Sequence, residues 1–326
     1  MSFEMLARAF WTVAKGRGEV LDETLPAPNA DEVLVETQFS AVSRGTESLV
    51  FNGRVPKSEF ARMRCPHQVG DFPAPLKYGY ANVGRVVAGA PGLLGQSVFC
   101  LFPHQTAYVV PAAEVVPLPP GVTPERAVLA ANLETAVNAI WDGVPRLGDR
   151  VSIVGVGVLG ALVAYLVRHV AAVAVELVDR RPERNDVARA FGTSFAPPES
   201  AEGERDLVFH ASGTAEGLRT ALSLAGKEGV VVELSWFGDA DPSVPLGGSF
   251  HSQRLTLRGS QVGSLSPNAR PRFTRRSRLE LALSLCSDPA LDVLFSSEST
   301  LDELPQAMPR LSAPDSGALC HRVRYV

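Results

Sequence analysis

A chain of 326 residues is long enough for two domains on the usual scale of about 150 residues each. A hydrophobic fraction of 45% allows substantial buried cores, and 20% charged residues argue against disorder. The formal net charge of −4 gives no global reason to expect a nucleic-acid partner.

The N-terminal MSFEMLARAFWTV places Glu4 and Arg8 inside any apolar core, so it lacks a signal-peptide layout and a cytoplasmic protein is expected. The first third then reads as β-structure with turns. Glu32 to Ser40 alternates apolar and polar residues, with Val33, Val35, Thr37 and Phe39 on one face, the period of a half-buried strand. Tyr78 to Val87 and Gln96 to Val110 continue in that manner. Pro111 to Pro120, with four prolines, reads as an extended connector. Cys65, Cys100, Cys286 and Cys320 form no CxxC pair and suit free thiols in a reducing compartment. The spacing of Cys65, His67, Cys100 and His104 matches no standard metal site.

Thr123-Pro124-Glu125-Arg126 offers an N-cap hydroxyl and a proline at the first helical position. Val128, Leu129, Leu133, Val137 and Ile140 continue that helix. The most apolar stretch, Val151 to Val178, contains Gly155, Gly157, Gly160, Arg168, His169 and Glu176, so it reads as strand, helix and strand and not as a membrane span. Further strands are predicted at Leu207–Phe209, Val230–Leu234 and Leu255–Leu257. The alternation with helices points to βαβ units and a parallel sheet. A last helix is predicted from about Arg278 to Cys286.

Val151–Val154 runs directly into Gly155-Val156-Gly157-Val158-Leu159-Gly160 and then an apolar helix. In GxGxxG, one glycine makes the tight turn, the next admits a pyrophosphate against the backbone, and the third lets helix and strand pack closely. The helix N-terminus adds amide donors and partial positive charge for the phosphates. The next strand closes on Asp179, nineteen residues past the last glycine, where a carboxylate accepts from the adenosine ribose hydroxyls. Such a carboxylate beside a 2′-phosphate costs about 4 kcal/mol per charge pair at about 4 Å and an effective dielectric of about 20, which favours NAD. Arg180 and Arg181 keep NADP open, although two arginines after a strand also describe a solvated loop.

On these motifs the chain resembles the medium-chain dehydrogenase/reductases, the zinc alcohol dehydrogenase superfamily. Asp206 to Gly213 resembles that family's fourth Rossmann strand and adenine-side turn, which implies cofactor contacts at Ser212 and Gly213. Gly229 to Ser235 resembles the next strand, with Ser235 at its cofactor end, and Leu255 to Ser260 the last. Leu301 to Val323 resembles the return into the catalytic domain. Arg184 stands where the family pattern has a basic residue five positions past the ribose acid.

The N-terminal motifs match in frame but not in chemistry. Ala41-Val42-Ser43-Arg44-Gly45-Thr46-Glu47 resembles the family's G-I-C-G-T-D, with Arg44 in place of the first zinc cysteine. Leu76 to Gly84 resembles G-H-E-x-x-G, with Tyr80 for the histidine and Ala81 for the glutamate. Glu134 resembles a carboxylate that some members place near the metal. Zinc needs three protein ligands and an open position, so the resemblance implies a zinc-free branch, distantly similar to the bacteriochlorophyllide dehydrogenases. No zinc and no other metal is expected.

Without zinc, a hydroxyl or cation must stabilise or protonate the substrate oxygen. Tyr80 is the first candidate, with Arg44 as oxyanion or carboxylate anchor and Thr46 and Glu47 beside it. His104 and His251 are acid–base candidates. A buried, satisfied tyrosine and an Arg44 paired to Glu47 or Glu134 are the structural alternatives. Arg254 to Arg278 holds seven arginines and no acid, which reads as a solvated basic surface or a field for an anionic substrate.

The expected fold is α/β: a Rossmann doubly wound parallel sheet over 131–265 plus a β-rich GroES-like catalytic domain over 1–130 and 266–326. The resemblance implies a homodimer through the last Rossmann strand. The expected function is zinc-independent, NAD(P)(H)-dependent hydride transfer to or from a small alcohol or carbonyl substrate. A reductase of enones or quinones, and a non-catalytic NAD(P)(H)-binding sensor, are the alternatives.

Overall fold

The computed structural model describes residues 5–170 and 173–325. The first four residues of the N-terminal segment therefore lie outside the description. The chain forms two compact units, one of Met1–Ala131, Leu283–Pro289 and Phe295–Val326, the other of Asn132–Ala282 and Ala290–Leu294.

The first unit is strand-rich. A seven-stranded sheet orders Phe295–Thr300, Cys320–Arg324, Glu32–Val42, Asn82–Gly89, Ser97–Cys100 and Val116–Pro117, with Ala107–Pro111 also pairing to Glu32–Val42. A four-stranded sheet orders Arg17–Leu25, Met5–Ala14, Leu76–Lys77 and Val69–Gly70. Glu32–Val42 departs from simple alternation because both of its faces meet apolar partners. Val33 and Val35 pack with Val86, Val98 and Tyr108, while Leu34 packs with Ala7, Leu25 and Ala107. Phe39 stays half-buried under the Arg322 guanidinium, 5.2 Å from its ring centre.

The second unit is a six-stranded parallel sheet in the order Ser194–Ala196, Ala174–Val178, Arg150–Val154, Arg205–His210, Ala225–Glu233 and Thr256–Gly259. Counted along the chain that order is 3-2-1-4-5-6, the doubly wound arrangement, with Val158–Val167, Asn185–Phe191 and Ala215–Leu224 among its helices. The central strands are buried on both faces and read as near-continuous apolar runs, as parallel strands do. One core cluster joins Val154, Val178, Val208 and Val231 to Leu218, Ala221 and Leu222 of a covering helix. The fold is thus the α/β class expected.

Three expected elements differ. The helix after Thr123 is two, Pro124–Ala127 and Ala130–Gly143, and Thr123 stands at the N-cap without a side-chain cap bond. The strand expected at Val230 begins at Ala225, with a register shift between Arg205 and Leu207 of its neighbour. Residues 266–282 group with the second unit, whereas the sequence placed the return at 266. The reason is a strap along Ala130–Gly143. Ser260 Oγ donates to Asp142 Oδ2 at 2.6 Å, Ser266 N donates to Asn138 Oδ1 at 3.1 Å, and Arg278 binds Glu134 and Asn138.

That strap also accounts for much of the arginine-rich stretch. Arg258 donates to the Asp142 carbonyl, Arg270 to that of Leu265 and Arg275 to that of Gly263, while Arg254 faces Glu228 and Arg276 faces Glu280. These guanidinium groups tie the unit together, which weakens the reading of a field for an anionic substrate. No helix among the described residues is long and apolar enough to cross a membrane.

Candidate functional site

Within the second unit, the turn after Arg150–Val154 has the mechanics its glycines predict. Gly155 adopts φ +96°, and a Cβ there would stand 2.5 Å from the Ser212 backbone. A Cβ on Gly160 would stand 1.9 Å from the Gly155 carbonyl oxygen, so this glycine sets how closely helix Val158–Val167 meets the strand. A Cβ on Gly157 would meet nothing within 4 Å. Gly157 is therefore bare on a side where the protein itself needs no space, as a backbone must be if a phosphate is to approach it. Val158 and Leu159 open the helix whose free amides complete that surface.

Asp179 closes the second strand of the sheet and reaches back to the turn. Its Oδ2 accepts from Val156 N at 2.7 Å and its Oδ1 from Arg181 N at 2.9 Å. Each oxygen keeps a lone pair, so the carboxylate is oriented yet still able to accept from a ribose hydroxyl. Arg184 is buried, and burial lowers its pKa while Asp179 opposes that shift. Arg180 is exposed. Glu183 is held below the usual carboxylate range, mainly by its backbone hydrogen bond and by Arg181.

Ser212, Gly213 and Ser235 lie at the ends of the two neighbouring strands. Gly213, at φ +69°, donates its N–H to Ser235 Oγ at 3.0 Å. Sequence reasoning missed two residues here. His210 is fully buried and lies between Glu233 Oε2, 2.7 Å from Nδ1, and Ser212 Oγ, 2.6 Å from Nε2.

The first unit gathers the other candidates around helix Arg44–Phe51. Glu47 reaches back to the start of that helix, where its Oε1 accepts from Ser43 N at 2.7 Å and satisfies a donor the helix leaves open. Glu47 Oε2 lies 2.9 Å from His104 Nε2, with the two side chains 5% and 1% exposed. His104 Nδ1 lies 2.7 Å from Ser40 Oγ, and Ser40 Oγ lies 2.8 Å from the Tyr325 hydroxyl. Ser40 and Tyr325 thus extend the cluster beyond the residues foreseen. Burial of a charged group is tolerated when it is paired and hydrogen-bonded, and Glu47 is both.

Tyr80 stands in the same cluster. Its pKa is pushed well up by burial and by the charge of Glu47, against hydrogen bonds with the Ser43 and Thr46 side chains. Such a phenol keeps its proton at neutral pH and can donate a hydrogen bond, although the raised pKa weakens it as an acid. Its ring meets Tyr78 edge-on at 6.0 Å. Arg44 donates to Ser316 Oγ at 3.0 Å, while Glu47 pairs with His104.

Glu134 is also placed differently. It belongs to the second unit, and its Oε1 accepts from Arg278 at 3.0 Å; burial raises its pKa while Arg278 opposes. A carboxylate held in a buried ion pair is structurally anchored. His251 is exposed. Burial pushes the Cys65 thiol up to about 12, and no group of three metal-ligating side chains occurs among the described residues.

No protein-family model matches the chain. D-guloside 3-dehydrogenase of Escherichia coli K12 is 26% identical over 230 residues, 65% of this chain and 62% of that enzyme, so the match spans under two thirds of the relative. L-idonate 5-dehydrogenase of Escherichia coli K-12 shares the fold with a TM-score of 0.82 at 19% identity, covering 99% of each chain. A short-chain alcohol dehydrogenase of Escherichia coli CFT073 complexed with NADH shares it with a TM-score of 0.77 at 15% identity, over 98% of this chain and 99% of that one.

Proposed function

We propose that the chain is an oxidoreductase that transfers hydride between a nicotinamide dinucleotide, NAD(H) ahead of NADP(H), and a small alcohol or carbonyl compound, without a catalytic zinc. The observation that carries the reading is the bare Gly157 backbone at a helix start, beside a turn amide already bound by Asp179. Gly155, Gly157, Gly160, Val158 and Leu159 hold the pyrophosphate in this reading, and Asp179 the adenosine ribose. When bound, the nicotinamide supplies the hydride acceptor or donor.

During reduction Tyr80 hydrogen-bonds the substrate oxygen and gives it a proton as hydride arrives, the phenolate left behind being reprotonated from water, with Thr46 and Ser43 orienting the phenol. Glu47 and His104 stay paired behind it and fix the negative charge that keeps Tyr80 protonated. Arg44 lies where a cation stabilises an oxyanion or binds a carboxylate. A guanidinium cannot ligate zinc, so the donor set does not fit that metal. Zinc near one per chain in purified protein, by elemental analysis, would overturn the zinc-free part.

The names of the D-guloside and L-idonate dehydrogenases direct a substrate search to sugar-derived hydroxyl compounds. Screening these with both dinucleotides, along with enones and quinones, tests the reaction class. Tyr80→Phe is expected to lower kcat by about 100-fold or more while NADH affinity, measured by calorimetry, stays at the wild-type value. Equal kcat in the variant removes Tyr80 from the chemistry. The proposal also places a second copy of the chain on the open sheet edge at Thr256–Gly259, which light scattering checks as twice the 34.7 kDa chain mass.

A further inference from the structure

His210 and Glu233 are register partners at the ends of adjacent parallel strands. Both interrupt apolar runs, Leu207-Val208-Phe209 and Val230-Val231-Val232, at the edge where the glycine turn lies. Glu233 Oε1 accepts from Ser235 N at 2.7 Å and Oε2 faces His210 Nδ1 at 2.7 Å. We assign the tautomer with Nδ1–H donating to the Glu233 carboxylate, in which Nε2 is the acceptor. In that tautomer Ser212 gives its proton to Nε2 at 2.6 Å, and its oxygen accepts from Thr214 N at 3.2 Å and from the Thr214 hydroxyl at 3.0 Å. Donation therefore runs inward at every step, from Thr214 to Ser212 to His210 to Glu233.

Room for this chain is built in. A Cβ on Gly217 would stand 2.0 Å from Ser212 Oγ and 2.8 Å from His210 Nε2. On its outer side the chain ends at Thr214, exposed, and Ser212, half-buried, and the Ser212 backbone bears on Gly155 of the glycine turn.

We infer that His210 and Glu233 are positioning residues that draw the Ser212 proton inward and through it the Thr214 proton, so that Thr214 Oγ1, which also accepts from Gly217 N at 3.0 Å, keeps one lone pair for a hydroxyl or amide donor of the bound dinucleotide. The inference rests on the dinucleotide reading above. It selects a ribose hydroxyl or carboxamide at this rim over a phosphate oxygen, which would meet lone pairs with lone pairs.

Glu233→Gln is the informative variant. Its carbonyl can still accept from Ser235 N, while its NH2 faces Nδ1, moves the imidazole proton to Nε2 and turns the Ser212 hydroxyl outward. Calorimetric titration with NADH is made on the wild type, Glu233→Gln, His210→Phe, Ser212→Ala and the double variants with Ser212→Ala, each checked for folding by thermal melting. Each single variant is expected to bind NADH about tenfold more weakly, and each double variant no more weakly than Ser212→Ala alone. Should His210→Phe fail to fold, the Glu233→Gln cycle gives the same comparison. Affinity within twofold of wild type in Glu233→Gln, or losses that multiply in the double variants, overturns the relay and leaves the dinucleotide reading intact. A wild type that binds neither NADH nor NADPH overturns both.

Discussion

Gly157→Ala is expected to leave thermal stability within about 0.5 kcal/mol of the wild type while weakening dinucleotide binding about ten- to a hundredfold. Gly160→Ala is expected to do the reverse first, losing about 1–3 kcal/mol of stability or more. The contrast follows from what each added methyl meets. At 157 the backbone is extended, at φ −75° and ψ −176°, and the space is empty, so the protein tolerates the methyl and only a ligand collides with it. At 160 the methyl meets the Gly155 carbonyl oxygen at 1.9 Å, a backbone atom that cannot move without opening the turn. Melting curves and NADH titrations on the two variants check the pair. Normal binding by a folded Gly157→Ala protein would show that no phosphate approaches there.

Arg278→Met is expected to cost about 3–5 kcal/mol at neutral pH, because it strands Glu134 as a buried charge without its partner. Arg278 is the largest fully buried side chain among the described residues, and its guanidinium also binds Asn138 Oδ1 at 2.7 Å and the Val262 carbonyl at 2.6 Å. The pH dependence fixes the cause. Burial already raises the Glu134 pKa and Arg278 opposes it, so removing Arg278 raises it further. A carboxyl whose folded pKa lies above its unfolded value weighs against folding when ionised, and that penalty fades as pH falls through the folded pKa. The stability gap between variant and wild type should therefore narrow from pH 7 to pH 5, and Glu134→Gln added to Arg278→Met should recover part of it. Denaturant melts at the two pH values measure this; a gap that stays constant on acidification would assign the loss to packing alone.

The parallel sheet was legible because its signal is local. Val151–Val154, the spaced glycines and Asp179 lie within one βαβ unit, where spacing and backbone mechanics suffice. The return between units was less legible. Its position depends on Arg278 reaching Glu134, 144 positions away, and no local pattern carries such a pairing. The polar clusters were legible in part. Tyr80, Glu47 and His104 were singled out separately, but only the fold brings His104 to Glu47 across 57 positions. Ser40 and Tyr325 gave no signal of their own. His210 and Glu233 did carry one: a charged or titratable residue closing an apolar strand run is costly unless it is partnered, and both stand at corresponding ends of neighbouring strands.

What the chain does depends on whether the turn at 155–160 receives a dinucleotide pyrophosphate while Asp179 holds its ribose. Isothermal calorimetry of the intact protein with NADH and NADPH asks this without reference to any substrate. Saturable one-to-one binding of NADH, tighter than that of NADPH and weakened by Asp179→Ala, is the predicted result. Absence of heat from either nucleotide at about millimolar concentration, where even a Kd worth about 4 kcal/mol is seen, would contradict it.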